Sequence, residues 1–341
     1  MCNYLSAGRV ANKESVVKAI LRKAFGGPEV LMVAEHPAPE PRIGHVLIEV
    51  RAFGLNHAEL YMRAGTWAEA APVSGIECVG VVRACPGGEY KVGQKVVALM
   101  GGMGRSINGS YAELTNVPVT NVVPIESPLD WEELAAIPES YATAWACVHG
   151  NLGMTAGQTL VIRGATSALG QAALNIAVQA DIRVVATTRQ RDRFAVLKQL
   201  GAEHVLLEGA GLSRHVRELR KDGVDAVLEL VGNSTLLDSL AAVRRDGRLC
   251  LAGFLGGLSP VEAFNPLLQM PSRVHFSFFG SFVFGSPAFP LTDVPMQTIV
   301  ERVGAGQYRA KPARVFGFEE IEAAHRLMES GKANGKLVVH V

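Results

Sequence analysis

The chain has 341 residues, of which 48% are hydrophobic and 19% are charged. A single domain usually stops growing below roughly 250 residues, so this length and composition predict two globular domains and exclude a disordered or fibrous chain. The 33 lysine and arginine residues nearly balance the 32 acidic ones, which leaves a net charge of +1. This balance offers no basic surface to nucleic acid or anionic lipid, and we expect neither as a partner.

The first fifteen residues lack the apolar core of a signal peptide, and no apolar run in the sequence is long enough to span a membrane. We therefore expect residues 1–15 to form a flexible extension. The five cysteines are scattered and contain no Cys-x-x-Cys pair, a pattern typical of reduced thiols in a cytosolic protein. The sequence predicts a cytoplasmic location.

Residues 16–125 contain short runs with the composition of β-strands, among them VLIEVRAFG, ECVGVVRAC and GQKVVALM, separated by glycine and proline. From about residue 131 the pattern changes, and short β-branched runs such as TLVIRG (159–164) alternate with helical segments of about ten residues. This alternation predicts a parallel sheet covered by helices on both faces. The last segment, FEEIEAAHRLMESGKANGKLVVHV, predicts an amphipathic helix ending near Gly331, followed by a strand that returns to the first domain.

The loop GATSALG lies between the first strand and the first helix of this predicted α/β domain. Gly164 allows the chain to turn, Gly170 permits close packing of helix and strand, and the helix N-terminus attracts phosphate charge. Ser167 stands where a middle glycine is usual, so the glycine spacing alone is equally typical of a structural turn. The strand–loop–helix context favours a pyrophosphate site made by Gly164, Ala165, Thr166, Ser167, Ala168, Leu169 and Gly170.

The second strand ends in TTRQRDR, where an NAD site usually has an acidic residue for the ribose 2′-hydroxyl. Hydroxyl groups and guanidinium forks suit a 2′-phosphate instead, so the predicted cofactor is NADPH. The alternative is that these arginines are an ordinary solvated helix start. The predicted contacts here are Thr187, Thr188, Arg189 and Arg193, and further predicted cofactor contacts are Val231, Gly253, Phe254 and Lys336.

Several segments together, namely FGGPEVLMV, GLNHAELYMRAG, VSGIECVGVV, VGQKVVAL, GATSALGQAALNIA, LGAEHVLLE and GKLVVHV, resemble the medium-chain dehydrogenase/reductase superfamily in its zinc-free quinone oxidoreductase branch. The resemblance covers nearly all of residues 16–341. It implies a Rossmann domain that binds NADP over residues 136–289. It also implies a β-rich, GroES-like catalytic domain over residues 16–135 and 290–341.

Zinc-dependent members of this superfamily carry three ligands that the resemblance places at Asn56, Ile76 and, less closely, Glu139. None of these is the expected cysteine or histidine, and GGMGRSINGSYAEL has no cysteine for a structural zinc. Because a protein zinc site needs at least three convergent ligands, we expect no metal. His57 and Glu59 are therefore not remnants of a metal site.

In the zinc-free relatives, residues at the positions of Asn56 and Tyr61 lie beside the nicotinamide and the substrate oxygen. The resemblance therefore implies that both are catalytic and donate hydrogen bonds that polarise a carbonyl. An asparagine before a helix is equally typical of an N-cap. His57 is interpreted as a bystander or a phosphate contact.

These features predict an NADPH-dependent, zinc-independent oxidoreductase that transfers a hydride to a small planar quinone or related conjugated carbonyl, such as an enone. One alternative is an enoyl or alkenal double-bond reductase, although Trp67 stands near the position of that group's tyrosine acid. An alternative of another class is a non-catalytic, nucleotide-bound structural or RNA-binding protein. The near-neutral charge gives the RNA role no support.

Six phenylalanines fall within FSFFGSFVFGSPAF, residues 276–289. We interpret the start of this segment, VHFSFFGS, as the edge strand of the parallel sheet, pairing across the two-fold axis of a homodimer. The less favoured interpretation is an apolar wall for a planar substrate, formed by Phe282 and Phe284.

Overall fold

A computed structural model describes residues 16–341, and the extension predicted at residues 1–15 lies outside the described part. In chain order the strands are β1 (Val16–Arg22), β2 (Leu31–Pro37), β3 (His45–Gly54), β4 (Glu77–Ala84), β5 (Lys95–Leu99), β6 (Leu114–Pro118), β7 (Val122–Pro124), β8 (Thr159–Arg163), β9 (Arg183–Thr188), β10 (His204–Leu207), β11 (Val224–Glu229), β12 (Val243–Leu251), β13 (His275–Phe278), β14 (Arg314–Gly317) and β15 (Leu337–His340). The α-helices are α1 (His57–Ala64), α2 (Trp131–Ala135), α3 (Pro138–Trp145), α4 (Ala168–Gln179), α5 (Phe194–Gln199), α6 (Leu212–Leu219), α7 (Leu236–Ala242), α8 (Pro266–Gln269), α9 (Met296–Gly304) and α10 (Ile321–Glu329).

The first large sheet has the order β14-β15-β3-β4-β5-β7, with β6 also paired to β3 and with β1 and β2 forming a separate antiparallel pair. The late strand β15 lies between β14 and β3, where Leu55 N–H donates to Leu337 O (2.9 Å). This position confirms the predicted return of the closing strand. Its preceding helix α10 ends at Glu329, and Gly331 follows with a φ of 65° that favours glycine.

The second sheet has the order β10-β9-β8-β11-β12-β13, and all of its pairs are parallel. Every residue of β8 is buried, as expected for a strand covered on both faces. The strand order reverses between β8 and β11, and ligands of such sheets bind where the carboxyl ends of the strands meet this reversal. The predicted doubly wound α/β fold is confirmed, whereas the domain boundaries at residues 135/136 and 289/290 stay predictions.

The strand β13 is the terminal strand of this sheet, which confirms the predicted edge. Phe276 and Phe278 on it are 37% and 49% exposed. One continuous apolar core joins the two sheets through α3, whose Tyr141, Ala142 and Ala144 are buried in it. Within residues 16–341, none of the helices combines the length and apolar character that crossing a membrane requires.

Candidate active site

A cleft of about 430 Å³ opens between the two sheets, at the carboxyl ends of the parallel strands. Its walls come from the start of α1, the β8–α4 loop, the segment after β12, the end of β13 and the α10–β15 loop. A volume of this order is typical of a small-molecule site. Both sheets therefore contribute side chains to one candidate site.

The β8–α4 loop has the geometry of a pyrophosphate cradle. Gly164 has a φ of 80°, and Ser167 caps α4 by accepting a hydrogen bond at Oγ from Gly170 N–H (3.1 Å). A Cβ atom on Gly170 would lie 2.6 Å from Gly164 O, so only glycine allows the helix to approach the strand this closely. Residues 166–169 line the cleft at the helix N-terminus, and this arrangement fits a dinucleotide phosphate.

A buried arginine supports this loop from beneath. Arg163, 1% exposed, forms ion pairs with Glu208, with Asp238 (2.9 Å) and with Glu229 (3.7 Å). Burial raises the pKa of Glu229, and the Arg163 charge opposes that rise. The cluster ties the ends of β8, β10 and β11 together, and nothing in the local sequence pattern predicted it.

The predicted contacts at the end of β9 divide into two groups. Thr187 and Thr188 are buried, and both hydroxyl groups form hydrogen bonds within the protein. Thr187 Oγ1 donates to Glu208 Oε2 (2.7 Å), and Thr188 Oγ1 accepts from Gln190 N–H (3.2 Å). Arg189, in contrast, is exposed and lines the cleft.

The remaining predicted cofactor contacts also differ in position. Arg193 lies outside the cleft lining, where its Nε donates to Gln190 Oε1 (3.3 Å). Gly253 and Phe254 line the cleft, whereas the Val231 N–H donates to Glu229 Oε1 (2.7 Å).

His57 lines the same cleft and faces the Arg189 charge. Burial first, and then Arg189, lower the pKa of His57. A neutral imidazole beside Arg189 is consistent with the predicted bystander or phosphate contact, and it is a poor proton donor at neutral pH.

Asn56 precedes α1, and its backbone N–H donates to Glu59 Oε2 (2.7 Å). Its side chain turns toward a buried ion pair, because Nδ2 donates to Glu77 Oε1 (2.8 Å) and Oδ1 accepts from Lys336 Nζ (2.6 Å). Lys336, 5% exposed, also pairs directly with Glu77. The Lys336 ammonium thus fixes the orientation of the Asn56 amide. Lys336 itself is not among the residues that line the cleft, and its predicted contact with the cofactor stays a prediction.

Glu139 joins this cluster at the cleft wall. Its backbone N–H donates to Glu77 Oε2 (2.8 Å), and its carboxylate accepts from Thr143 Oγ1 (3.0 Å). Burial raises the pKa of Glu139, and the Lys336 charge opposes this. Among residues 16–341, no group of three or more His, Cys, Asp or Glu side chains is arranged to hold a metal ion.

Tyr61 lines the cleft, with its hydroxyl donating to the Phe254 carbonyl oxygen (2.5 Å). Burial raises the pKa of Tyr61, so the phenol keeps its proton at neutral pH. A positioned, protonated phenol can transfer its hydrogen bond from a backbone oxygen to a substrate oxygen.

An aromatic wall runs away from Tyr61. The rings of Phe254 and Phe278 lie 6.2 Å apart, those of Phe278 and Phe282 lie 6.4 Å apart, and the Arg105 guanidinium lies 5.3 Å from the centre of the Phe282 ring. Phe282 lines the cleft, as the less favoured interpretation predicted. Phe284 instead packs on Phe279 and lines a neighbouring cavity.

A chain of buried polar groups joins α1 to α10 behind the cleft. Arg63 donates to His325 Nδ1 (2.9 Å), and Tyr111 lies between His325 Nε2 (3.1 Å) and Glu59 Oε2 (2.9 Å). Because Arg63 can only donate, His325 accepts at Nδ1 and carries its proton at Nε2. Burial, followed by the Arg63 charge, lowers the pKa of His325 from 6.5 to about 3, and burial raises that of Glu59 from 4.5 to about 7.

These shifts predict a pH-dependent effect of His325→Gln on stability. Between about pH 3 and 6.5 the folded state binds fewer protons at His325 than the unfolded chain does, so the histidine's contribution to stability falls as the pH falls. Between about pH 4.5 and 7 the folded state binds more protons at Glu59 than the unfolded chain does, so the contribution of Glu59 to stability rises as the pH falls. We expect the difference in the free energy of unfolding, wild type minus His325→Gln, to be smaller at pH 5 than at pH 7.5. The decrease should be at most about 1.4 kcal/mol per pH unit.

Urea unfolding at both pH values measures this difference, and His215→Gln, at an exposed position on α6, is the matched control. A difference between wild type and His325→Gln that does not change with pH would contradict the assigned neutral histidine.

Sequence comparisons agree with this architecture. The family described as "Alcohol dehydrogenase GroES-like domain" matches residues 42–127, and the family described as "Zinc-binding dehydrogenase" matches residues 168–293. These two families are the paired domains of one class of nicotinamide-dependent oxidoreductases. The chain belongs to the medium-chain dehydrogenase/reductase superfamily.

Individual relatives indicate the branch of the superfamily to which the chain belongs. The quinone oxidoreductase of Lama guanicoe is 28% identical over 345 residues, which cover 97% of this chain and 99% of that protein. The fold is also that of the quinone oxidoreductase from Pseudomonas syringae pv. Tomato DC3000, with a TM-score of 0.85 at 22% identity over 95% of this chain and 100% of that chain. This chain is an oxidoreductase of the quinone oxidoreductase branch.

Structures similar to this chain include proteins described with either nicotinamide cofactor. A mycobacterial protein complexed with NADPH has a TM-score of 0.84 at 24% identity and covers 95% of this chain and 100% of its own. An NAD-dependent alcohol dehydrogenase has a TM-score of 0.81 at 28% identity, covering 95% and 99%. The fold therefore accommodates a nicotinamide cofactor.

Proposed function

We propose that this protein is an NADPH-dependent, zinc-independent reductase of quinones or related conjugated carbonyls. The observation that carries the proposal is one cleft that joins a pyrophosphate cradle, the cation Arg189 and the phenol of Tyr61. NADPH would supply the hydride when bound. Ser167 and the α4 N-terminus would hold the pyrophosphate, and Arg189 the 2′-phosphate.

The protein's own contribution to the reaction is to orient the acceptor, to exclude water and to polarise one oxygen. Phe254 and Phe282 provide an apolar aromatic surface, and Tyr61 donates a hydrogen bond to the acceptor oxygen. Asn56 also lines the cleft with its amide held by Lys336 and Glu77, and we propose it as a second hydrogen-bond donor to that oxygen. Because a quinone is already electrophilic, these modest effects suffice.

The decisive experiment is a panel of quinones, enones and enoyl thioesters assayed with NADPH. We expect quinones and enones to be reduced with the higher kcat/KM. Preferential reduction of enoyl thioesters would favour the double-bond reductase, and no reduction of any acceptor would favour a non-catalytic role.

Zinc independence is tested by elemental analysis and by assay in strong chelators. We expect no stoichiometric zinc and full retention of activity. The resemblance places Asn56, Ile76 and, less closely, Glu139 at the positions of zinc ligands in related enzymes, and the Lys336 cation interacts with Asn56 and Glu139. One tightly bound zinc ion per chain would overturn this part of the proposal.

We further propose a homodimer that pairs β13 across a two-fold axis. Phe279 N–H donates to Leu251 O, so by alternation the N–H groups of Phe276 and Phe278 point away from β12.

Phe276→Pro removes one outward donor without breaking the hydrogen bonds between β12 and β13, and we expect it to convert the dimer into monomers. Sedimentation at micromolar concentration measures this, and a monomeric wild type would refute the interface.

A cytoplasmic location completes the proposal. Cys78, Cys85, Cys147 and Cys250 are free thiols in the described part of the chain, as is usual in a reducing compartment.

A further inference from the structure

Arg105 lies where the aromatic wall of the cleft ends. It belongs to the loop between β5 and β6, lines the cleft, and places its guanidinium over the Phe282 ring. Its side chain is 22% exposed, so the group is neither a fully solvated surface charge nor a buried structural ion.

The donors of Arg105 are only partly used. One terminal nitrogen donates to Glu69 Oε2 (2.7 Å), whereas Nε is buried and has no hydrogen-bond partner within residues 16–341. A buried N–H without an acceptor is destabilising, and a guanidinium presents its donors as a planar fork that matches a carboxylate. Glu69 is 55% exposed, so solvent weakens its hold on the arginine. Arg105 therefore keeps donors for a further acceptor at the cleft wall.

The other charged groups that line the cleft leave Arg105 as the cation available to an anionic ligand at the Phe282 end. Arg189 lies beside His57, at the end proposed to hold the 2′-phosphate. Two acidic residues also line the cleft: Glu329 is paired with the buried Arg63, and Glu139 lies near the buried Lys336 cation. An anionic group at the Phe282 end of the cleft would thus meet the Arg105 guanidinium. Within the described residues, the only ion pair of Arg105 is with the half-exposed Glu69.

We propose that the acceptor reduced in this cleft is a planar conjugated compound bearing a carboxylate, and that Arg105 binds this carboxylate while the ring lies against Phe282. This inference rests on the proposed function and specifies its substrate class. The arrangement places the reducible oxygen toward Tyr61 and the anionic substituent at the opposite end of the wall. Arg105 is thus a specificity-determining residue.

Two ligands with the same ring system separate the carboxylate contact from stacking, namely anthraquinone-2-carboxylate and the neutral 2-(hydroxymethyl)anthraquinone. Calorimetric titration in saturating NADP⁺ gives the Kd of each without turnover. We expect Arg105→Gln to weaken carboxylate binding about tenfold or more and to leave neutral binding within about twofold.

Glu69→Gln tests the same contact in the opposite direction. Removing the anion that competes for Arg105 should strengthen carboxylate binding about two- to fivefold, with no effect on the neutral ligand. Arg83→Gln, at an exposed position on β4, is the matched control and should change neither Kd. If Arg105→Gln fails to fold, the Glu69→Gln result decides.

The proposal is overturned if the wild type does not bind the carboxylate, if Arg105→Gln weakens both ligands equally, or if Glu69→Gln does not strengthen carboxylate binding. Its failure is distinguishable from failure of the proposed function. Arg105-dependent binding without reduction of any acceptor would reject only the reaction, and reduction of quinones without a carboxylate preference would reject only the role of Arg105.

Discussion

Replacing Tyr61 with phenylalanine is expected to lower kcat for quinone reduction about ten- to a thousandfold, the range associated with one positioned donor. The phenol hydroxyl is the hydrogen-bond donor proposed to polarise the acceptor oxygen, and in the structure it lies at the aromatic wall and donates to Phe254 O. The Kd of NADPH should hardly change, because the pyrophosphate cradle and Arg189 lie on other elements. Stopped-flow reduction of 1,4-naphthoquinone measures the hydride-transfer rate directly.

Tyr90→Phe is the matched control, because the Tyr90 hydroxyl bonds to Val119 O and Val122 O in the first sheet. The most informative contrary result would come from His57→Ala. If that change abolished turnover while Tyr61→Phe had no effect, proton delivery would depend on the histidine. An enone, whose reduction needs real protonation, would then be the better substrate.

Arg189→Ala is expected to weaken NADPH binding about ten- to a hundredfold while leaving NADH binding nearly unchanged. The loss corresponds to one charge-assisted hydrogen bond to the 2′-phosphate, roughly 1.5–3 kcal/mol. Arg189 is exposed and lines the cleft, so its guanidinium is free to reach the nucleotide. Fluorescence titration with the two reduced cofactors gives both dissociation constants.

Arg193→Ala serves as the comparison and should have the smaller effect, because this side chain bonds to Gln190 and lies 3.6 Å from the Asp192 carboxylate. Equal weakening of NADPH and NADH by Arg189→Ala would show that the arginine has a structural role. NADPH would then lose its main support as the cofactor.

Local patterns were enough to predict the parts of the site that depend on neighbouring residues in the chain. The strand–GATSALG–helix unit, the edge strand β13 and the return of β15 all follow from periodicity, glycine placement and the family resemblance. No local pattern singles out Arg105, because its contact with Phe282 depends on how the two sheets pack. No spacing rule could pair Lys336 with Asn56, since they are 280 positions apart.

The Asn56 hypothesis shows the same limit. The sequence allowed either an N-cap or a catalytic donor, and the structure places the residue before α1 with its amide held by Glu77 and Lys336. The choice between these roles depends on a buried ion pair assembled from three distant segments. Burial of charge is a property of tertiary packing, which a single sequence does not display.

The interior position of β15 has a consequence for biosynthesis. The ribosome adds about 5–20 residues per second, so β3 and Asn56 emerge tens of seconds before β15 and Lys336. Throughout that interval the edge of β3 that later pairs with β15 lacks its partner, and by the end of it the strands of the parallel sheet have all been made. Nascent chains stalled before residue 336 should therefore bury the parallel sheet yet expose an open β3 edge, and they would be preferred clients of chaperones that recognise unpaired strands.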